Sequence, residues 1–160
     1  MTTPQADCSD GRQAALTSGG VNLGVSRGHI LAVDDDDDLR DAVGALLEDA
    51  GYRVTFAHNG ADALIKLSQM SLPELILLDL AMPQLSGPDF LREVLHDPTY
   101  SRIPVVVVTG TSLPREDAAA LGADGYLRKP IQRVELLRAV EQALCDWDDE
   151  ALAPTERQPV

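Results

Sequence analysis

The sequence predicts a parallel α/β domain in which strands and helices alternate along the chain. Two observations favour this class. Short apolar runs with the composition of strands recur along the sequence, and each is followed by a segment with helical spacing of apolar residues. Two of the runs, residues 75–78 and 105–108, are continuously apolar, as expected for strands that are buried on both faces. Repeated strand–helix units of this kind form a parallel sheet with right-handed crossovers and helices on both faces.

The first half of the domain contains three predicted strands, at residues 29–33, 53–57 and 74–78. The helix after the first strand begins near residue 38 and ends at Gly51, because glycine tolerates the left-handed conformation that closes many helices. Asn59 suits the N-cap of the second helix, since its side chain can accept a hydrogen bond from a free amide of the first turn. The second strand mixes polar and apolar residues, which favours a position at the edge of the sheet.

The second half contains predicted strands at residues 103–108 and 125–128. Pro88 suits the first turn of the helix after the third strand, because this position leaves its amide unpaired in any case. An alanine-rich helix at about 114–121 stops at Gly122. The last helix begins near residue 131, and its apolar residues are predicted to form one stripe that consists of Ile131, Val134, Leu137, Val140, Leu144 and Trp147.

Composition limits the classes of function. A chain of 160 residues suits one domain with a proper core, and a net charge of −13 argues against binding nucleic acid or an anionic membrane through a basic surface. No apolar stretch approaches the roughly 20 residues of a membrane span, and no secretory signal pattern is present, so we expect a cytoplasmic protein. Cys8 and Cys145 match no metal spacing and are expected to be unpaired thiols, since a disulfide between them has no support in the sequence.

Two flanking segments differ in composition from the domain itself, which is expected to span residues 28–145. Residues 1–27 contain several Gly, Ser and Thr residues and few large apolar ones, which is typical of a flexible leader. Residues 146–160 are rich in Asp and Glu and are interpreted as an acidic C-terminal tail. Fifteen residues follow position 145, too few for an output domain, so the output is expected to be contact with another protein.

Reactive side chains follow four of the predicted strands. Asp34 and Asp35 follow the first strand, Asp79 the third, Thr109 the fourth and Lys129 the fifth. Because ligands of open parallel sheets bind at the carboxyl ends of the strands, these groups are expected to meet at one edge. Three carboxylates repel one another unless a cation neutralises them, and hard oxygen ligands suit Mg²⁺.

A phosphoryl group suits such a site. Mg²⁺, the ammonium of Lys129 and the hydroxyl of Thr109 together are able to stabilise a phosphoryl group during its transfer to an oxygen nucleophile. Asp79 follows a central apolar run and is the natural nucleophile, with an acyl phosphate as its product. The sequence therefore predicts phosphoryl transfer to an aspartate.

Four motifs at these strand ends resemble the receiver domain of bacterial two-component response regulators. They are Val33-Asp34-Asp35, the run from Leu78 to Gly87, Val108-Thr109-Gly110, and the run from Gly122 to Pro130. The resemblance covers about residues 28–145, with the motifs in the right order and spacing. It implies a flavodoxin-like (βα)5 doubly wound parallel sheet with the strand order 2-1-3-4-5, which the apolar pattern by itself leaves open.

The resemblance also implies a phosphoacceptor and a set of metal ligands. By it, Asp79 accepts a phosphoryl group from the phosphohistidine of a sensor histidine kinase or of a histidine phosphotransfer protein. Asp35, Asp79 and the backbone carbonyl of Ala81 would bind Mg²⁺, and Asp34 would contribute directly or through water. The protein would be a signalling switch rather than an enzyme, since it would catalyse only its own phosphorylation and dephosphorylation.

Three residues have further roles that the resemblance implies. Lys129 would pair with the phosphoryl group, beside a cis Lys129–Pro130 bond. Thr109 would move to bond a phosphoryl oxygen, and Tyr126 would turn inward into the space that Thr109 leaves. This movement would couple the site to the surface of helix four, strand five and helix five, where a downstream protein or a second copy of the chain would dock.

The loop after the first strand departs from the pattern of the family. Its sequence is Asp34-Asp35-Asp36-Asp37-Asp38, and Asp37 stands where many relatives have proline. Asp36 and Asp37 are expected to be solvated, and Asp38 is expected to cap the first helix. Ser86 occupies a position that is often Asp, with little expected consequence.

Three other functions fit parts of the pattern. An aspartyl-phosphate phosphatase of the haloacid dehalogenase type also uses a strand-end aspartate and Mg²⁺, but it normally has a second Asp at the position of Ala81. An interaction module with the receiver fold that works without phosphorylation usually has a damaged pocket, whereas the residues of this pocket are intact. A flavin-binding flavodoxin is disfavoured, because five consecutive aspartates would repel a phosphate after the first strand.

Overall fold

The computed structural model describes residues 27–82, 86–110 and 114–151, with side chains as far as residue 145. Its strands are β1 (His29–Val33), β2 (Arg53–Ala57), β3 (Leu75–Asp79), β4 (Val105–Thr109) and β5 (Gly125–Arg128). Its helices are α1 (Asp37–Asp49), α2 (Gly60–Gln69), α3 (Gly87–His96), α4 (Arg115–Ala120) and α5 (Arg133–Ala151). Strands and helices alternate along the chain, as the apolar pattern predicts.

The strands form one sheet with the order β2-β1-β3-β4-β5. Each neighbouring pair of strands is parallel. The flavodoxin-like doubly wound fold is therefore confirmed, and β2 lies at an edge, as its mixed composition indicates. The chain changes direction across the sheet between β1 and β3, and in folds of this type ligands bind outside the carboxyl ends of the strands at such a point.

Alternate residues of the strands supply two apolar cores, one on each face of the sheet. The first core joins the sheet to α2 and α3 through a set that includes Val33, Ile76, Leu78, Leu67, Phe90 and Leu91. The second joins the opposite face to α1 and α5 through a set that includes Ile30, Leu77, Val108, Val43, Leu47, Leu136 and Val140. The helices on both faces leave the carboxyl edge of the sheet free for a site.

The start of α1 differs from its prediction. Asp36 is the N-cap, because its carboxylate accepts a hydrogen bond from the amide of Leu39 at 3.2 Å. The prediction that Asp38 caps this helix is therefore wrong. Asp36 has extended backbone angles and lies three residues before a free amide, whereas Asp38 already belongs to the first turn.

The buried stripe of α5 also differs from its prediction. Val134 is 64% exposed, whereas Leu136, Val140 and Ala143 are buried. The predicted stripe is therefore wrong at Val134. Successive residues of an α-helix are rotated by about 100°, so repeated steps of three residues drift around the helix, and Val134 lies outside the face formed by Leu136, Val140 and Ala143.

The described chain starts with a contact to α5. The guanidinium of Arg27 lies 5.2 Å from the ring centre of Tyr52 and pairs with the Glu141 carboxylate at 3.2 Å. The predicted leader otherwise lies outside the described residues. The backbone of α5 continues to Ala151, into the predicted acidic tail, and residues 152–160 are not described.

Cys145 is disulfide-bonded, so the prediction of an unpaired thiol is wrong for this residue. The chain has one other cysteine, Cys8, which lies outside the described residues. Because the two cysteines lie far apart in the sequence, no local pattern indicated that they pair. In three dimensions the Arg27–Glu141 contact brings the start of the described chain to α5, one helical turn before Cys145.

Within the described ranges, we find no helix that combines the length and the apolar character needed to cross a membrane.

Candidate functional site

Asp79 is the last residue of β3 and is only 2% exposed. Its strand and β4 each end one residue later than predicted, so Asp79 and Thr109 belong to the strands themselves. The Oδ1 atom of Asp79 accepts a hydrogen bond from the amide of Ala81 at 3.1 Å. This contact holds the carboxylate at the carboxyl edge of the sheet.

Two more carboxylates lie beside Asp79. Asp34 follows β1 directly and is buried, and its Oδ1 atom accepts a hydrogen bond from the amide of Asp36 at 2.8 Å. Asp35 is exposed. One carboxylate oxygen from each of Asp34, Asp35 and Asp79 lies within 4.8 Å of the other two. The structure thus brings together the three carboxylates that were expected to meet.

Lys129 provides a cation at the same place. Its Nζ atom lies 3.2 Å from Asp79 Oδ2 and 3.7 Å from Asp34 Oδ2. The peptide bond between Lys129 and Pro130 is cis, as the resemblance implies, and the Lys129 amide donates to the Thr109 carbonyl at 2.9 Å. Burial alone would lower the pKa of Lys129, but the charges of Asp79 and Asp34 outweigh this effect and raise it, so the side chain remains an ammonium.

The carboxyl group of Asp34 reports the charge balance of the site. Its pKa is raised from 3.8 to about 6, first because burial removes the carboxylate from water, and further because of the charge on Asp79. The amide of Asp36 and the ammonium of Lys129 act in the opposite sense without cancelling the shift. The site therefore holds more negative charge than its own cations neutralise. An all-oxygen donor set with excess negative charge fits Mg²⁺, which binds through few carboxylates and keeps several waters.

This shift predicts a pH-dependent stability in the absence of divalent cations. The pKa of Asp34 in the folded protein, about 6, lies above its unfolded value of 3.8, so the folded state holds a proton that the unfolded state has lost. The free energy of unfolding should therefore fall as the pH rises through this window. Replacing Asp34 by Asn should stabilise the protein at pH 7 by about 2 to 3 kcal/mol and have little effect near pH 4.

Urea unfolding of the two proteins across this pH range, in EDTA, measures the difference. Asp38→Asn is the matched control, since Asp38 belongs to the same run of five aspartates but is exposed in the first turn of α1. If the difference in the free energy of unfolding between Asp34→Asn and the wild type did not grow from pH 4 to pH 7, the raised pKa of Asp34 would be wrong.

Thr109 and Tyr126 occupy neighbouring strands. Thr109 is 1% exposed at the end of β4, and Tyr126 is half-buried against the core that includes α3. In the register of the two strands, Tyr126 pairs with Val107 and Arg128 pairs with Thr109. Because alternate residues share a face, Thr109 lies on the same face as Val107 and Tyr126. This placement is compatible with coupled movement of the two side chains.

The loop after β3 is described only in part. Ala81 is exposed and presents no charged group beside Asp79, and residues 83–85 lie outside the described ranges. Ser86, for which little consequence was expected, caps α3: its hydroxyl accepts a hydrogen bond from the Asp89 amide at 3.3 Å. Its role is therefore to begin the helix behind the site.

One residue beside the site was missed in the sequence. Arg40 is buried in the first turn of α1, and its Nη1 atom donates to the backbone carbonyl of Asp34 at 2.9 Å. Its spacing offered a signal, since Arg40, Val43 and Leu47 follow the period of one buried helical face. An arginine on the apolar face of a helix that follows an acidic loop indicates a buried polar contact.

Fold and site together define a doubly wound α/β protein with an aspartate-centred acidic site at the carboxyl edge of its sheet. Comparison with known proteins agrees. The sequence model described as "Response regulator receiver domain" matches residues 30–141. The chain therefore belongs to the response regulator receiver family.

The relatives that this chain matches differ in length. The chain is 36% identical over 118 residues to response regulator Rre1 of Synechocystis, and the match covers 72% of this chain and 51% of Rre1. It is 33% identical over 117 residues to protein PilH of Pseudomonas aeruginosa, with coverage of 72% of this chain and 96% of PilH. The chain thus spans about half the length of some curated relatives and nearly all of others.

A solved structure gives the same result for the fold. The chemotaxis response regulator CheY4 of Vibrio cholerae superposes with a TM-score of 0.66 at 33% sequence identity, and the match covers 72% of this chain and 97% of CheY4.

Proposed function

We propose that this receiver is a phosphorylation-dependent switch in which Asp79 accepts a phosphoryl group from the phosphohistidine of a sensor histidine kinase or a histidine phosphotransfer protein. The observation that carries the proposal is the position of the Asp79 carboxylate. It is 2% exposed, 3.2 Å from the ammonium of Lys129, and grouped with the carboxylates of Asp34 and Asp35. A nucleophile, a fixed cation and a set of oxygen ligands for Mg²⁺ are the parts that phosphoryl transfer needs.

In the transfer, a carboxylate oxygen of Asp79 attacks phosphorus. The bond between phosphorus and the histidine nitrogen breaks, and the imidazole leaves with the electron pair. The ammonium of Lys129 holds a phosphoryl oxygen, and the hydroxyl of Thr109 donates a hydrogen bond to another. Mg²⁺, held by Asp34, Asp35, Asp79 and the Ala81 carbonyl, would neutralise the carboxylates and the charge of the phosphoryl group.

Ala81 supports a switch rather than a phosphatase. A phosphatase of the aspartyl-phosphate type needs an acid/base carboxyl group two residues after its nucleophile, and Ala81 has a methyl group there. Its amide instead donates to Asp79 Oδ1 at 3.1 Å. The expected product is an acyl phosphate on the protein itself, not the turnover of small phosphate esters.

The output surface in this proposal is the face of α4, β5 and α5. A groove of about 610 Å³ opens there, and its lining includes Tyr126, the three arginines Arg115, Arg128 and Arg138, and the two acidic residues Asp124 and Glu135. Within the described part of the chain, none of these arginines makes an ion pair. On a protein with a net charge of −13, such a groove suits a protein partner, or a second copy of the chain, that presents acidic side chains.

We place this switch in the cytoplasm, where sensor kinases present phosphohistidine. Its negative charge favours neither nucleic acid nor membrane as a partner. The disulfide at Cys145 is unusual for a reducing compartment. Alkylation of free thiols in freshly lysed cells, followed by intact mass, would measure the oxidation state of the two cysteines in place.

The first experiment is the intact mass of the protein after incubation with acetyl phosphate, with and without Mg²⁺. We expect a gain of one phosphate that requires the metal. No gain, with no binding of beryllofluoride, would favour an interaction module that works without phosphorylation. Steady release of inorganic phosphate from a generic phosphate ester would favour the phosphatase.

A further inference from the structure

Arg40 is the only buried arginine among the residues that the structure describes, with 8% of its surface exposed. Its Nη1 atom donates to the backbone carbonyl of Asp34 at 2.9 Å, and its Nη2 atom donates to Oδ1 of Asp37. It lines a small internal cavity together with the apolar side chains of Val43 and Leu77. Burial of a guanidinium costs free energy unless the group is paired. These two hydrogen bonds offset the cost of removing the Arg40 guanidinium from water.

The two acceptors lie at the two ends of the acidic loop. Asp34 is the first residue after β1, and Asp37 is the first residue of α1. The guanidinium therefore bridges the stretch of main chain from which Asp34 and Asp35 reach the site. Because a guanidinium is planar and presents its donors in a fixed fork, it holds the carbonyl and the carboxylate in one defined arrangement.

We propose that Arg40 is a positioning residue for the metal site, which fixes the loop from residue 34 to 37 so that the carboxylates of Asp34 and Asp35 face Asp79. The inference rests on the proposed function, since it assumes that these carboxylates bind Mg²⁺. Arg40 makes no hydrogen bond or ion pair to the carboxylates of Asp34, Asp35 and Asp79. It acts through the main chain of Asp34.

The contacts of Asp34 show how the positioning works. Its amide donates to the Ala57 carbonyl at 3.1 Å, and its carbonyl accepts from Arg40 at 2.9 Å. Its side chain accepts from the Asp36 amide. Without the guanidinium, the carbonyl loses this buried donor. The loop keeps its attachment to β2, its own turn, the Leu39 amide at Asp36 and the Lys129 ammonium beside Asp34, but none of these holds the Asp34 carbonyl. The carboxylates would then be presented to a metal in several arrangements instead of one.

Positioning and simple charge neutralisation predict opposite results. Removal of a positive charge from an acidic site strengthens the attraction for a cation by Coulomb's law. Removal of a positioning contact weakens metal binding, by about tenfold to a hundredfold for residues that orient metal ligands. The effect of an Arg40 variant on Mg²⁺ affinity therefore has a different sign in the two cases.

The test is a titration of the unphosphorylated protein with MgCl₂, followed by the NMR shifts of backbone amides in the acidic loop. We expect Arg40→Met to weaken Mg²⁺ binding by about tenfold. Arg40→Lys keeps the charge but loses the fork, so it should also weaken binding, by a smaller factor. Arg133→Met is the matched control, because Arg133 is half-exposed and pairs with Asp49 at the other end of α1, at 2.7 Å. Its affinity for Mg²⁺ should equal that of the wild type.

A second readout is the phosphorylation rate with acetyl phosphate as a function of Mg²⁺ concentration. Positioning predicts that Arg40→Met needs about tenfold more Mg²⁺ for half-maximal rate and Arg40→Lys a smaller excess, and that both approach the wild-type rate at saturation. Tighter or unchanged Mg²⁺ binding in Arg40→Met, or unchanged binding in the folded Arg40→Lys protein, would overturn the role of Arg40 alone. Failure of the wild type to bind Mg²⁺ would overturn the proposed function and this inference with it.

Discussion

Replacement of Asp79 by Asn should abolish phosphorylation. Asn has the shape of Asp but presents an amide instead of a carboxylate, so it neither attacks phosphorus nor contributes a charged oxygen to a metal. In the intact mass after incubation with acetyl phosphate and Mg²⁺, we expect the phosphate adduct of the wild type to be absent from the variant. At the detection limit of such a spectrum, the loss is at least about a hundredfold, or roughly 2.7 kcal/mol in the barrier.

The control for this variant is Asp41→Asn. Asp41 lies on α1, is exposed, and belongs to no part of the site. It should be phosphorylated as the wild type is. An adduct that persists in Asp79→Asn at wild-type level would place the phosphoacceptor elsewhere and would contradict the role of Asp79.

Replacement of Gly87 by Ala should destabilise the protein strongly. A Cβ atom at this position would lie 2.4 Å from the Leu80 Cα atom and 2.7 Å from the Asp79 carbonyl oxygen. Both are backbone atoms, one of the proposed phosphoacceptor and one of the residue after it, so the clash cannot be relieved by a rotamer change. α3 must move away or the main chain at Asp79 must shift, at a cost of about 2 to 3 kcal/mol in the free energy of unfolding.

Gly110→Ala is the matched control for Gly87→Ala. Gly110 also adjoins the site, but a Cβ atom there would meet the Lys129 Cδ atom at 3.5 Å, an ordinary contact. Urea unfolding should place Gly110→Ala within about 0.5 kcal/mol of the wild type. If Gly87→Ala were as stable as Gly110→Ala, this would contradict the close contact between α3 and the end of β3.

Much of the fold could be predicted because the strands are patterned so clearly. The continuously apolar runs of β3 and β4 admit few other structures, and the polar residues at their ends mark where they stop. The order of the strands could not be predicted from this pattern. Each run is apolar whichever neighbour it pairs with, so the pattern contains no information about order, and that information came from the resemblance to a family.

The errors have separate physical origins. A cap is chosen by backbone angles, so five consecutive aspartates offered several candidates and Asp36, not Asp38, has the extended conformation. The predicted stripe of α5 joined residues three apart, which drift around a helix of 3.6 residues per turn, so Val134 lies off the buried face and is exposed. The disulfide at Cys145 joins positions that no local pattern connects.

The placement of the candidate site residues was predicted more completely than the contacts that hold them in position. Strand ends in a parallel sheet share one edge, and this rule was enough to predict the placement of Asp34, Asp35, Asp79, Thr109 and Lys129, whose roles stay predictions. Arg40 was missed because its role depends on a hydrogen bond to a main-chain carbonyl, which any residue type could offer. Residues that act through the backbone leave little trace in a sequence, whereas residues that act through their own side chains can be recognised by type.

The most direct test of the central claim is to identify the residue that carries the phosphoryl group. Borohydride reduces an aspartyl phosphate to homoserine, which is stable to proteolysis and mass spectrometry. After treatment with acetyl phosphate and Mg²⁺, then borohydride, we expect homoserine at position 79 and unmodified aspartate at positions 34 and 35. Homoserine at either of those two positions, with Asp79 intact, would contradict this claim.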